Sequence, residues 1–119
     1  MKKVFLIIAV ALFSLNTFSQ EKINTNDLIG YWEPDQESAH LFFWISKSNE
    51  LHVKEISCSS GLPIDIITLK VNQSSIFIKT IFVPNKWIVE CTYTFIDNNT
   101  LKCEVTGDAV ATIIYKKKE

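Results

Sequence analysis

The chain has 119 residues, of which 47% are hydrophobic and 21% charged, a balance that fits one globular domain and excludes a disordered chain. Its formal net charge of -1 gives no electrostatic footprint for nucleic acid, and its cations are all lysines, so no arginine fork is present to read phosphate or guanine. Nucleic-acid binding is not expected.

Lys2 and Lys3 precede an apolar run from Val4 to Phe13, and Thr17-Phe18-Ser19 supplies small residues three and one before a junction with Gln20. That is the layout of a cleavable secretory signal with cleavage after Ser19, and the run is too short for a membrane-spanning helix. The expected product is secreted or periplasmic, with residues 1–19 as signal peptide and residues 20–119 as a single domain. Without Lys2 and Lys3, ten lysines would face the 13 acids, a net charge of -3, and no later run is long enough to span a membrane.

Residues 20–26 read as a polar arm, and Asp27-Leu28-Ile29 as one helical turn capped by Asn26 or Asp27 before Gly30. Alternation between turn signals then predicts strands over residues 29–33, 39–46, 51–57, 64–72, 75–83, 87–96, 100–106 and 109–116. The connections are short, and none has the length and period of a crossover helix. The expected fold is all-β, an eight-stranded antiparallel up-and-down meander.

Register adds an independent constraint, because one face must stay inward through every turn. A Gln73-Ser74 hairpin pairs Val71 with Ile76, Leu69 with Ile78 and Ile67 with Thr80. The Val83-Pro84-Asn85-Lys86 turn sets Phe82 opposite Trp87, Thr80 by Val89 and Ile78 by Cys91. A three-residue Asp97-Asn98-Asn99 loop, with Asn99 left-handed, sends Leu101, Cys103 and Val105 to the same side. A two-residue Gly107-Asp108 turn of type II′ would pair Val105 with Val110 and Cys103 with Thr112. Eight strands in this order can close into a barrel and remove their edges.

Gly30-Tyr31-Trp32, at the start of the first strand and after a helical turn, resembles the Gly-x-Trp signature of lipocalins and of lipocalin-like exported bacterial domains. The resemblance implies that Trp32 plugs the closed end of the barrel beneath a cation from the end of the last strand. Here that cation is expected from Lys116, Lys117 or Lys118, with Lys116 the residue assigned, and Gly30 and Trp32 complete the plug.

The open end would then carry the 34–38, 58–63, 84–86 and 107–108 connections. Phe82 and Trp87 near that mouth, with Phe42, Trp44 and Tyr93 deeper and Thr80 among them, are the candidate ligand-binding residues. The alternative is that these rings fill the interior. Cys91 and Cys103 fall inward on adjacent strands as diagonal neighbours, roughly 7 to 8 Å apart, and are either a disulfide after backbone adjustment or two packed thiols. Cys58 sits apart in a loop.

His40, His52 and Cys58 match no compact zinc spacing, and Glu33, Asp35 and Glu37 read as solvated loop acids. No phosphate loop, nucleophile elbow or Ser/His/Asp set is present, so no metal, cofactor or catalytic residue is assigned. Two functions remain. One is a monomeric, non-enzymatic exported protein that binds a small apolar or amphipathic molecule. The other is a filled barrel whose loops bind a protein partner, such as a periplasmic enzyme.

Overall fold

The computed structural model of the chain describes residues 23–118; the secretion signal expected over residues 1–19 lies outside them. Asn24 caps a single 3-10 turn, Thr25–Asp27, its side-chain oxygen accepting from the Asn26 N–H at 3.0 Å. The turn therefore begins two residues earlier than the capping pattern suggested. After it come β1 (Gly30–Pro34), β2 (Ala39–Ile45), β3 (Leu51–Ser57), β4 (Pro63–Val71), β5 (Ile76–Phe82), β6 (Trp87–Asp97), β7 (Thr100–Gly107) and β8 (Ala111–Lys118). Each strand pairs antiparallel with the next, and β1 pairs with β8 to close the barrel, with Trp32 opposite Lys117. Among the described residues no helix is long and apolar enough to cross a membrane.

Local chemistry decides most of the register. Pro84 bends the β5–β6 connection so that Phe82 faces Trp87, Thr80 faces Val89 and Ile78 faces Cys91, the pairing that the turn type demands. The β4–β5 hairpin begins as expected, with Val71 opposite Ile76 and Leu69 opposite Ile78. It then shifts at a bulge between Ile66 and Thr68, so Ile66 rather than Ile67 faces Thr80. A bulge sets two residues against one, and the extra residue, Ile67, is left half-exposed.

Two further turns differ from the sequence reading. Asp97 pairs with Thr100, which makes the β6–β7 loop two residues long, and the Asn99 N–H donates to the Asp97 carboxylate at 2.8 Å. Asn99 is not left-handed, and the offset is taken up at Ile96 instead. The β7–β8 connection is longer than a two-residue turn because Gly107 stays in β7, opposite Val89, with φ +106°. Asp108 then clamps onto β6: its N–H donates to the Ile88 carbonyl at 3.0 Å and its carboxylate accepts from the Ile88 N–H at 2.9 Å. Val105 consequently pairs with Ala111 and Cys103 with Ile113, one step from the expected Val110 and Thr112. A one-residue slip turns a strand over, so Ile113 and Tyr115 face inward and Val110 is 82% exposed.

The core occupies the lower part of the barrel, nearest the 3-10 turn. Leu28, Trp32, Leu41, Phe43, Ile76 and Leu101 are buried there, with Ile23 half-buried beside them and its N–H bonded to the Gln73 carbonyl at 2.8 Å.

Candidate functional site

The two ends of the barrel differ in the size of their inward side chains. At the end where β1 begins, Trp32 is fully buried; its indole N–H donates to the Leu28 carbonyl at 2.8 Å and Phe95 meets it edge-on at 6.2 Å between ring centroids. Of the three terminal lysines, Lys117 is the one above this ring, with Nζ 5.8 Å from the centroid and 2.9 Å from the Asp27 carbonyl to which it donates. Lys116 points elsewhere and donates to Thr100 Oγ1 at 2.9 Å, so the assignment of Lys116 to the plug is corrected to Lys117. The slip in β8 is the reason. Gly30, at φ +129°, holds the backbone where a side chain would press to 3.3 Å from the Lys117 stem.

At the opposite end two inward positions near the mouth are small. Ala39 at the start of β2 and Ala111 at the start of β8 leave space that larger residues fill lower down, and a cavity of about 350 Å³ opens between the 35–38, 58–62, 83–86 and 108–110 loops. Val89, Val105, Ile64 and Ile113 form apolar walls. Phe82 and Trp87 stand at the rim, and Trp87 is 50% exposed. Thr80 and Tyr93 line the cavity further in, both buried.

Phe42 and Trp44 are not in this cavity. The inward residues of β2 are Ala39, Leu41 and Phe43, which turns Phe42 and Trp44 onto the outer face. There Phe42 stacks on Tyr31 at 4.8 Å and Trp44 on His52 at 5.4 Å, while the Tyr31 hydroxyl and His40 Nδ1 are hydrogen-bonded. These cross-strand pairs stabilise the wall of the barrel.

The interior also contains a residue that the sequence reading passed over. Glu55 lies on β3 opposite Leu41 and Ile64, faces inward and is 4% exposed. No group among the described residues hydrogen-bonds its Oε2. Burial, reinforced by Cys91, pushes its carboxyl from an ordinary 4.5 up to about 8, so it is uncharged at neutral pH. Its signal was available: Leu51, Val53 and Glu55 alternate along one strand, so a face set by Val53 includes Glu55.

Tyrosine hydroxyls and two thiols surround Glu55. Burial raises the Tyr93 phenol well above its usual range, with Glu55 the next contributor, and burial likewise raises Tyr115. Cys91 and Cys103 are free thiols, diagonal to one another because Cys91 faces Val105 and Cys103 faces Tyr93. The contact between them lowers Cys91 and, with burial, drives Cys103 upward. Cys58 is a separate free thiol beyond β3. At the mouth, Glu37 lines the cavity, whereas Glu33 pairs with Lys118 at 3.4 Å and Asp35 extends the β1–β8 ladder through bonds to Ile114.

Fold and cavity together define a small closed up-and-down barrel, plugged at one end and hollow at the other. No protein-family model, curated protein or solved structure matches this chain.

Proposed function

We propose that this chain is an exported, non-enzymatic binding protein of lipocalin-like type that takes a small apolar or amphipathic molecule into the open end of its barrel. The observation that carries the reading is the cavity of about 350 Å³, apolar at its walls and lined by an inward carboxyl and hydroxyls. It falls near the lower end of the roughly 300 to 1,000 Å³ typical of ligand pockets. At about 30 Å³ for each water-sized group, it accommodates a molecule of about a dozen non-hydrogen atoms. The hollow interior supports this reading over a filled barrel acting only through its loops. The cation over Trp32 supports the lipocalin-like part of it, and the Lys2 to Ser19 stretch supports export.

The energetics are consistent with a reversible carrier. Each buried methylene contributes about 0.8 kcal/mol, so an eight-carbon chain gains roughly 6 kcal/mol, reduced by the freedom it loses. Affinities of roughly 10 µM to 1 mM follow, with hydrogen bonds adding to the upper end. Trp87 at the rim is the natural reporter. Titrating the purified protein with C8 amphiphiles should change its tryptophan emission, and Trp87→Phe should remove most of that change while Trp44→Phe leaves it. Emission unaffected by any amphiphile at millimolar concentration would refute the reading.

A further inference from the structure

Glu55 is an unusual group to find inside a barrel of this size. A buried carboxyl without a hydrogen-bond partner costs stability whether charged or neutral, and apolar residues of the same volume would not. Its Oε2 is nonetheless left without a partner among the described residues, and the side chain lines the cavity. Among the described residues the other acid on the cavity lining is Glu37 at the mouth, and no lysine or histidine contributes to it. The cavity thus has apolar walls, two carboxyls, and the hydroxyls of Thr80, Tyr93 and Tyr115 among its neutral hydrogen-bonding groups.

We propose, resting on the ligand-binding reading above, that Glu55 is a cation-recognition residue and that the ligand is an amphipathic amine whose ammonium group meets the free Glu55 oxygen while its alkyl or aryl part runs outward to Phe82 and Trp87. An ammonium brings three N–H donors and no acceptor. One donor satisfies Glu55, and the hydroxyls on the same lining serve the others. A carboxylate ligand would set a second acid beside Glu55 with no cation to offset it, and an alcohol would leave the charge-assisted part of the bond unmade.

A protonation change accompanies the contact. Uncharged Glu55 meeting R-NH3+ gives the ion pair R-NH3+ with Glu55 carboxylate, and the carboxyl proton goes to solvent. The titratable groups that face Glu55 are Cys91 and Tyr93 from β6, Cys103 from β7 and Tyr115 from β8, while β2, β4 and β5 present Leu41, Ile64 and Thr80; Tyr93, Cys103 and Tyr115 are all raised and keep their protons at pH 7, whereas Cys91 is lowered by its contact with Cys103. Glu55, the group in contact with the ammonium, releases the proton.

The test is isothermal titration of the purified protein with octylamine, octanol and octanoate, matched in chain length, in buffers of different ionisation enthalpy. Octylamine should bind roughly 10- to 100-fold more tightly than octanol at pH 8.5, where the amine is still protonated. Its affinity should fall roughly 20-fold between pH 8.5 and 6.5, with close to one proton released per amine at pH 7. Glu55→Gln should abolish the preference for octylamine over octanol, and continued binding of octanol shows the cavity intact. Equal binding of all three, preference for octanoate, or amine binding that ignores Glu55→Gln and releases no proton would overturn the proposal while keeping the cavity reading. Failure of all three to bind would remove the cavity reading, and this inference with it. The proton count and the ligand series use the unaltered protein, so they decide the matter even if the variant folds poorly.

Discussion

Replacing Glu55 by glutamine should change the pH dependence of stability more than any other single substitution. In the fold its carboxyl titrates near 8, against an ordinary 4.5 once the chain is unfolded and the group returns to water. Below pH 4 it is protonated in both states and contributes nothing to the difference. Between pH 4.5 and 8 the unfolded chain gives up this proton while the folded one keeps it, so each rise in pH favours unfolding. At 1.36 kcal/mol per pH unit, the native protein loses about 2.5 kcal/mol between pH 5 and 7 and about 4 kcal/mol between pH 5 and 9 through this group. That is a large part of the roughly 5 to 15 kcal/mol available to a domain. Glutamine has the same shape and no such proton. Urea denaturation of both proteins across pH 5 to 9 should therefore give curves that diverge, with Glu55→Gln the more stable at high pH; titrating groups remote from Glu55 cancel in the difference. Parallel curves would refute the assignment of a raised, buried carboxyl at this position.

Three further outcomes follow from the geometry. Trp32→Ala should cost about 3 to 5 kcal/mol in urea unfolding, because it empties the fully buried plug, whereas Lys117→Met should cost about 0.5 to 2 kcal/mol for the lost cation-ring contact. Gly107→Ala should destabilise by about 2 to 4 kcal/mol, since a Cβ there would sit 2.7 Å from the Ile88 carbonyl oxygen at a φ of +106°, and a melting temperature unchanged from the native protein would contradict that account. A thiol reagent should find three thiols in urea but only Cys58 quickly in the folded protein; two thiols missing in urea would mean that Cys91 and Cys103 are bonded after all.

How much was legible in the sequence depended on whether local chemistry or closure of the barrel set a given feature. The β5–β6 pairing could be read from Pro84 and the alternation on either side of it, and the Gly30-Tyr31-Trp32 stretch pointed to the plugged end. β2 could not be oriented this way. Ala39-His40-Leu41-Phe42-Phe43-Trp44-Ile45 is apolar on both faces, and its inward set is decided by pairing with β1 and β3, which sends Phe42 and Trp44 outward and Phe43 inward. The bulge at Ile67 and the β8 slip arise from the backbone. Gly107 is compatible with a tight turn in sequence, and only the grip of Asp108 on Ile88 shows that the chain continues along β6 first. Glu55 was missed because a carboxylate suggests solvent, although its strand alternation places it inward.

The central claim is that the hollow end of the barrel binds a small amphiphile, and a heteronuclear NMR titration with octylamine tests it residue by residue. The account predicts saturable shifts at Glu55, Thr80, Val89, Tyr93 and Ile113 around the cavity, with Trp32 and Leu101 at the plugged end unmoved. Shifts confined to the outer face at Tyr31, Phe42 and Trp44, or no saturable shift at all, would contradict it.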